Sequence, residues 1–310
     1  MGKLQHYVPR FYLKAWLDNN GTIFCLQKAG KLFGTKNLMN LGGENYFYRL
    51  QDLTVNDITL IKKIAIDPSP ERFKRLHHDL VVRFDLIMRL KAIEHDDPEV
   101  SRQIEMESIE YGESINTGIE EGLQAPLAAM RVGDTSFIKD DHLAAGFFYA
   151  IAHQYMRTKR TKEALLKRDL RGPLDQQFVM CVWNVLSHIC AVNIGWSLFA
   201  ERRLSTIVLL DNLSAEPFIT ADQPIINLRG TDEAGGSPPE KMDLFFPLSP
   251  TKAMLLLEAN SDYQITNHQL SAKEVHAYNL RLAKNAHEQI YSNGHPYLET
   301  IKAELARYGR

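Results

Sequence analysis

The chain has 310 residues, 45% apolar and 24% charged, with a formal net charge of −2. This is an ordinary globular mix, long enough to bury a core without staples, and its near-neutral total supplies no global field that draws the chain to nucleic acid or an anionic membrane. Cys25, Cys181 and Cys190 show no C-x-x-C spacing, so no zinc ribbon is encoded; with no apolar leader and no run of about 18 apolar residues, a reducing cytoplasmic setting without a membrane is expected.

The first sixteen residues are dense in aromatics and carry His6, Pro9 and Arg10 close together. A turn at Pro9 leads into a short helix over Arg10–Trp16. Asn19-Asn20-Gly21 predicts a hairpin turn, Thr22–Gln27 a strand, and Tyr46-Phe-Tyr48 a short aromatic strand, so residues 1–50 form a small β part. From about residue 55 the period changes to that of helices. Asp57 is expected to cap the first. Ser69-Pro70 opens an amphipathic helix carrying Phe73, Leu76, Leu80, Phe84 and Ile87. A row of Ile115, Ile119, Leu123 and Leu127 marks the next. Asp140 caps a helix expected to run to about Leu170, and Gly172-Pro173 breaks the chain. Phe178, Val182, Val185, Ile189, Val192, Trp196 and Phe199 then alternate spacings of four and three. Residues 55–200 are therefore an all-helical block.

Residues 204–310 return to strands. Leu204–Leu210, Pro217–Thr220, Ile225–Leu228, Leu244–Phe246 and Ala253–Glu258 fit, with Pro247–Pro250 separating the last two and Gly235–Pro239 as a surface loop. Ser271–Glu274 is a capping box opening a helix to about Ala286, His287–Tyr291 a short strand, and a terminal helix follows Pro296. Strands at both ends around a helical middle predict an α+β fold in one domain over residues 1–310. Its N- and C-terminal strands complete a mixed or antiparallel sheet packed on the helices.

Several polar residues need an explanation. The apolar stripe Leu143, Phe147, Ala150, Ile151 continues to Gln154, Arg157 and Thr158; either these are buried and satisfied, or the helix end emerges into solvent. Pro224 restricts Gln223 and holds the Asp222 carboxylate in one direction at a strand end, with an Asx-turn as the competing explanation. His6 is suited to proton transfer near neutral pH. His77, His78, His153, His188, His276 and His287 lack metal spacing and are expected at the surface or in the core. Glu113, Asn116 and Glu120 share a helix face whose bland reading is a solvated one. Asn279, with Tyr278 and Arg281, could lock a loop. Neither a P-loop nor a Rossmann glycine pattern is present.

Gln5-His-Tyr-Val-Pro-Arg-Phe-Tyr-Leu13, Gln154-Tyr-Met-Arg157-Thr158 and Phe218-Ile-Thr-Ala-Asp-Gln-Pro224 resemble, in order and spacing, the landmarks of the domain-of-unknown-function 4238 family. Phe246-Pro-Leu-Ser-Pro250 and Asn279 are similar to further landmarks. Ala221 and Gln223 depart from the serine and asparagine typical of the family. The resemblance implies one shared site built from His6, Gln154, Arg157 and Asp222, supported by Pro9, Arg10, Thr158, Pro224 and Asn279.

Two functions compete for that site. In the first the chain is a hydrolase-like effector, a nuclease or nucleotide hydrolase of a defence or toxin type. His6 is then the acid or base, Gln154 orients, Arg157 neutralises phosphate charge, and Asp222 fixes the His6 tautomer or holds a divalent cation such as Mg²⁺ with Glu120. The expected partner is a nucleic acid or nucleotide. In the second the same residues form a structural knot in a non-catalytic binding or effector module, whose partner is a protein or a second copy of the chain.

Overall fold

The computed structural model describes residues 4–93, 95–167, 174–230, 241–263, 265 and 268–308. The N-terminal segment enters as strand β1 (Leu4–His6), helix α1 (Arg10–Leu13) and a 3-10 turn over Lys14–Trp16. Pro9 precedes α1 in extended conformation, and its carbonyl accepts from the amides of Tyr12 (3.1 Å) and Leu13 (3.2 Å). A chain start usually frays, but Tyr7, Val8, Tyr12, Leu13 and Trp16 are all buried. Three hydrogen bonds fix their direction. The Tyr12 hydroxyl donates to the Pro247 carbonyl (2.8 Å) and also bonds the Thr220 hydroxyl (2.7 Å), and the Trp16 indole donates to the Phe218 carbonyl (2.9 Å). The two ends of the chain therefore meet.

Strands β2 (Ile23–Gln27), β3 (Leu32–Thr35) and β4 (Gly43–Asn45) follow, with β4 antiparallel to β1. Tyr46-Phe-Tyr48 is a turn rather than the expected strand. Tyr46 has φ 59°, in the left-handed region, and extended chain cannot continue through it.

The helical block comprises α2 (Val55–Ile61), α3 (Glu71–Ala92), α4 (Pro98–Arg131), α5 (Asp141–Met156), α6 (Lys159–Leu166) and α7 (Gln176–Ala200). Thr54, not Asp57, caps α2; Asp57 completes the capping box from inside the helix. Helix α3 buries His77, Val81, Phe84 and Met88 and leaves Leu76 exposed, so its inner face is turned one position from the predicted stripe. Ile119, Leu123 and Leu127 of α4 are buried as their spacing predicts. The expected break at Gly172-Pro173 and the loop at Gly235–Pro239 lie outside the described residues.

Helix α7 has the length and hydropathy of a membrane span, yet 61% of its most apolar window is buried inside the protein. It packs on α5 at backbone distance. A Cβ on Gly195 would stand 2.8 Å from the Tyr149 Cα, so only glycine admits this approach.

Among the described residues the C-terminal strands are β5 (Thr206–Asn212), β6 (Thr220–Ala221), β7 (Ile226–Asn227), β8 (Leu244–Ser249), β9 (Lys252–Leu257), β10 (Gln269–Leu270) and β11 (Gln289–Ser292). Helices α8 (Ala272–Asn285) and α9 (His295–Tyr308) flank β11. The fold is α+β. N- and C-terminal strands do share a sheet, in the order β3-β2-β11-β6, but β10-β5-β9-β8-β7 form a second one, in which only β10 and β5 run parallel. Strand β8 runs through Pro247 to Ser249, with a register shift where proline can donate no ladder bond. One apolar cluster joins Tyr12 and Trp16 to Leu123, Phe147 and Ile151 of the helices and to Phe246 and Leu248 of β8.

The α5–α7 contact holds a titrating pair. The rings of His153 and His188 stack at 4.9 Å and 25°, both buried, and neither His153 Nε2 nor His188 Nδ1 has a hydrogen-bond partner among the described residues. Burial, aided by the charge of Arg157, holds His153 well below the usual 6.5 and pushes His188 down to about 4. Between the free value and these lowered ones the unfolded chain binds more protons than the folded chain. The stability at stake is therefore fully present above about pH 6.5 and is lost as pH falls toward the lowered values. Urea midpoints at pH 7.5 and pH 5 should diverge in the wild type and diverge less in His188→Leu, which keeps His153; equal divergence in both would remove His188 from the acid response.

Candidate functional site

The helix expected from Asp140 to Leu170 stops at Met156. Arg157 is its C-cap, and Thr158 caps α6, its hydroxyl accepting from the Thr161 amide (3.4 Å). Gln154, Arg157 and Thr158 are all buried, so the helix end does not emerge into solvent. Arg157 is 1% exposed. A guanidinium so placed must find acceptors. Its Nη2 bonds Glu120 Oε1 (2.7 Å) and Gln154 Oε1 (2.6 Å), and its Nε donates to the same Gln154 oxygen (3.1 Å). The Gln154 amide donates in turn to the Tyr7 carbonyl (2.9 Å), tying the helix end to the N-terminal segment. Among the described residues Arg157 Nη1 is buried without a hydrogen bond, with the Tyr48 hydroxyl in its field.

His6 lies on β1 at the edge of this cluster, half-buried. Its Nε2 is 3.0 Å from the Met39 carbonyl. A carbonyl oxygen only accepts, so Nε2 carries the proton. Burial holds the ring below its ordinary pKa against the pull of that bond, with Arg10 and Arg157 lowering it further and Glu120 raising it. The neutral ring thus keeps its lone pair on Nδ1, which has no partner among the described residues. The expectation that Asp222 fixes the tautomer is corrected: the Met39 carbonyl does so.

Glu113, Asn116 and Glu120 do not form a solvated face. Asn116 is buried with both amide atoms unbonded, and Glu120 is committed to Arg157. Burial pushes the half-buried Glu113 carboxyl up, beside the Gln5 amide and within the field of Glu120 and Arg10. Gln5 is itself fixed, donating to the Ile109 carbonyl (2.6 Å) and accepting from the Tyr48 amide (2.6 Å).

Asp222 stands apart from His6. Its carboxylate accepts the amides of His287 (2.8 Å), Glu288 (2.6 Å) and Gln289 (2.9 Å), so it pins the entry to β11. Burial pushes its carboxyl up while the three amides pull it back. The Asx-turn explanation also fails, because the partners are far along the chain. Among the described residues no three His, Cys, Asp or Glu side chains could hold a metal ion. The Asp222–Glu120 metal pair is corrected on the donor set, since the oxygens of Asp222 are filled by amides and Glu120 is paired with arginine.

The other landmarks are structural. Gln223 accepts from the Thr158 hydroxyl and donates to the Ile225 carbonyl (2.6 Å), so the residue that departs from the family pattern still bridges two motifs. Pro224 is buried. Asn279 accepts from the Ile219 amide (3.0 Å) and donates to the Pro217 carbonyl (2.8 Å) and the Tyr297 hydroxyl (3.0 Å), locking the chain before β6. Arg10 is exposed and contacts Met39 Sδ (2.7 Å). Sequence reasoning missed Glu113 as an inward residue and Met39 as the residue whose carbonyl accepts from His6 and orients it. The first had a signal, a face shared with buried apolar residues; the second had none.

In Asp222→Asn an NH₂ group would face backbone amides that have nothing else to bond. A stability loss of about 2–4 kcal/mol is expected in urea unfolding, and a midpoint equal to wild type would contradict this account of the site.

A search of curated proteins and a search of solved structures each found no match. A family model described as "Protein of unknown function (DUF4238)" matches residues 4–295, nearly the whole chain, and the chain belongs to that family.

Proposed function

We propose that the chain is a hydrolase of a phosphodiester or nucleotide in which His6 and Glu113 transfer protons and the Arg157–Glu120 pair sets the local field. The observation that supports this most is the state of His6: a neutral ring of fixed tautomer, with an unbonded Nδ1 beside a buried ion pair. Nδ1 takes a proton from water as the water oxygen attacks phosphorus. The bond to the leaving oxygen breaks, and the raised carboxyl of Glu113 gives that oxygen its proton. The proton held by His6 then returns to Glu113 through solvent, and the books on atoms and charge close. Gln154 and Arg157 are positioning residues here, since neither is exposed.

A non-catalytic binding or effector module is the second reading. It is favoured by one observation: the charges of Arg157 and Asp222 are consumed by internal partners.

The test is turnover of DNA, RNA and nucleotides, with and without Mg²⁺, by wild type, His6→Gln and Glu113→Gln, with thermal midpoints measured alongside. The first reading expects rate losses of about 10²–10⁴-fold in variants that stay folded. Activity needs His6 neutral and Glu113 protonated, so the rate should fall on the acid side of His6 and on the alkaline side of Glu113, and Glu113→Gln should remove the alkaline limb. Unchanged turnover in folded His6→Gln, or no turnover by wild type on any substrate, would favour the second reading.

A further inference from the structure

Helix α3 is apolar on two opposite sides. Its inner side, His77, Val81, Phe84 and Met88, is buried in the helical block. On the outer side Val82, Leu86 and Leu90 recur at every fourth position, and Ile93 follows at the C-cap. At about 3.6 residues per turn, Leu86 stands roughly opposite the buried row. Val82, Leu86, Leu90 and Ile93 are 49%, 53%, 38% and 57% exposed, and Leu76 at the margin is 53% exposed. Single exposed apolar side chains are ordinary on a protein surface; a row of them along one helix marks a surface that something covers.

The charges in the same row select what covers it. Arg75, Asp79, Val82, Leu86, Arg89 and Ile93 follow one another at spacings of four and three, the pattern of a helix–helix seam. Arg75, Asp79 and Arg89 are exposed. Arg75 Nε lies 4.0 Å from Asp79, and Arg89 Nε donates to Asp85 (2.7 Å), with more than half of each arginine side chain still in solvent. A second α3 laid parallel and in register would set arginine on arginine at Arg75 and Arg89 and carboxylate on carboxylate at Asp79. Laid antiparallel about a twofold axis at the level of Phe84, it sets Val82 against Leu86 of the second copy and Asp79 against its Arg89, and the twofold repeats both pairs. Leu76 and Leu90 of the second copy then close one rim of the seam. Moving the antiparallel pair by one heptad puts Arg89 against Leu86, or Asp79 against Val82, so the charges admit one register. Arg83 is left at the rim near the axis facing its own copy, where solvent screens it.

We propose that the outer side of α3 is a homodimer interface, an antiparallel α3–α3 seam with an apolar centre of Val82 and Leu86 and an Asp79–Arg89 ion pair at each end. The seam runs for about 27 Å from Arg75 to Ile93 at ~1.5 Å per residue. One helix from each copy makes a small interface, so the dimer is reversible, with a Kd on the order of 10 µM. The seam uses none of the residues of the His6 cluster, and dimerisation and turnover are measured separately.

Sedimentation velocity of the full chain over a concentration series tests it. Wild type should pass from monomer to dimer as its concentration rises to about 200 µM. Leu86→Glu should be monomeric throughout, with the thermal midpoint of dilute wild type because the side chain is exposed. Val132→Glu, at the exposed C-cap of α4, should dimerise as wild type does. Asp79→Arg should weaken the dimer at least tenfold by setting arginine on arginine at both ends of the seam, and adding Arg89→Glu should restore it. That rescue tests the register even if Leu86→Glu fails to fold. A wild type that stays monomeric, a Leu86→Glu dimer as tight as wild type, or a double variant no tighter than Asp79→Arg would each overturn the proposal. A monomer that co-sediments with phosphatidylglycerol vesicles would overturn it too and assign the row to a membrane surface.

Discussion

A guanidinium cannot be buried bare, and the architecture around Arg157 follows from that constraint. Its acceptors must come from elements distant in sequence: Glu120 from α4 and Gln154 from the turn before it on α5. Gln154 has one oxygen and one NH₂. With the oxygen taken by arginine, the NH₂ must donate elsewhere, and it finds the Tyr7 carbonyl. A buried charge thus recruits a neutral amide, and the amide recruits the N-terminal segment. Removing Glu120 would leave the charge uncompensated, which costs far more than a surface pair ever contributes. The helix also has to stop here, because Arg157 turns inward at its C-cap and Thr158 restarts the chain as α6.

Asp222 does for the C-terminal strands what Arg157 does for the helices. Three successive amides at the entry to β11 would otherwise be buried without acceptors, and one carboxylate satisfies them all. The two centres communicate through short neutral bonds, Thr158 to Gln223 and Tyr12 to Thr220, rather than through a salt bridge between them. Each charge is compensated locally, so the N-terminal segment, the α5–α6 junction and β6 can be joined without a long-range ion pair in the core.

Much of this was legible from residue patterns and some was not. Helix caps at Asp140 and Ser271 came from local chemistry and stand in the structure. The polar continuation of an apolar stripe correctly marked Gln154, Arg157 and Thr158 as residues needing partners, but periodicity could not show that the helix ends among them. Tyr46 was misread because an aromatic triplet favours strand locally, while the left-handed backbone is imposed by β1–β4 pairing and by Phe47 packing on Tyr7. Glu113 was taken for a solvated residue because charge alone suggests solvent; its face is turned inward by contact with a strand a hundred residues earlier. Resemblance located the landmarks but not their division of labour, which depends on partners such as the Met39 carbonyl that no side-chain pattern records.

That division separates two kinds of histidine. His6 is steered by a carbonyl, so its tautomer is set by backbone geometry and survives substitution of neighbouring side chains. His287 is steered twice, by Glu163 on its ring and by Asp222 on its amide, so its position depends on charges. The charged landmarks Arg157 and Asp222 are fully buried, as Thr158 and Asn279 are, and cannot touch a ligand from solvent. Their part is to hold other groups: Arg157 fixes Glu120 beside His6, and Asp222 fixes the entry to β11. A substitution at either would therefore cost stability, whereas the half-buried His6 ring, held by one backbone carbonyl, can be replaced in a chain that remains folded.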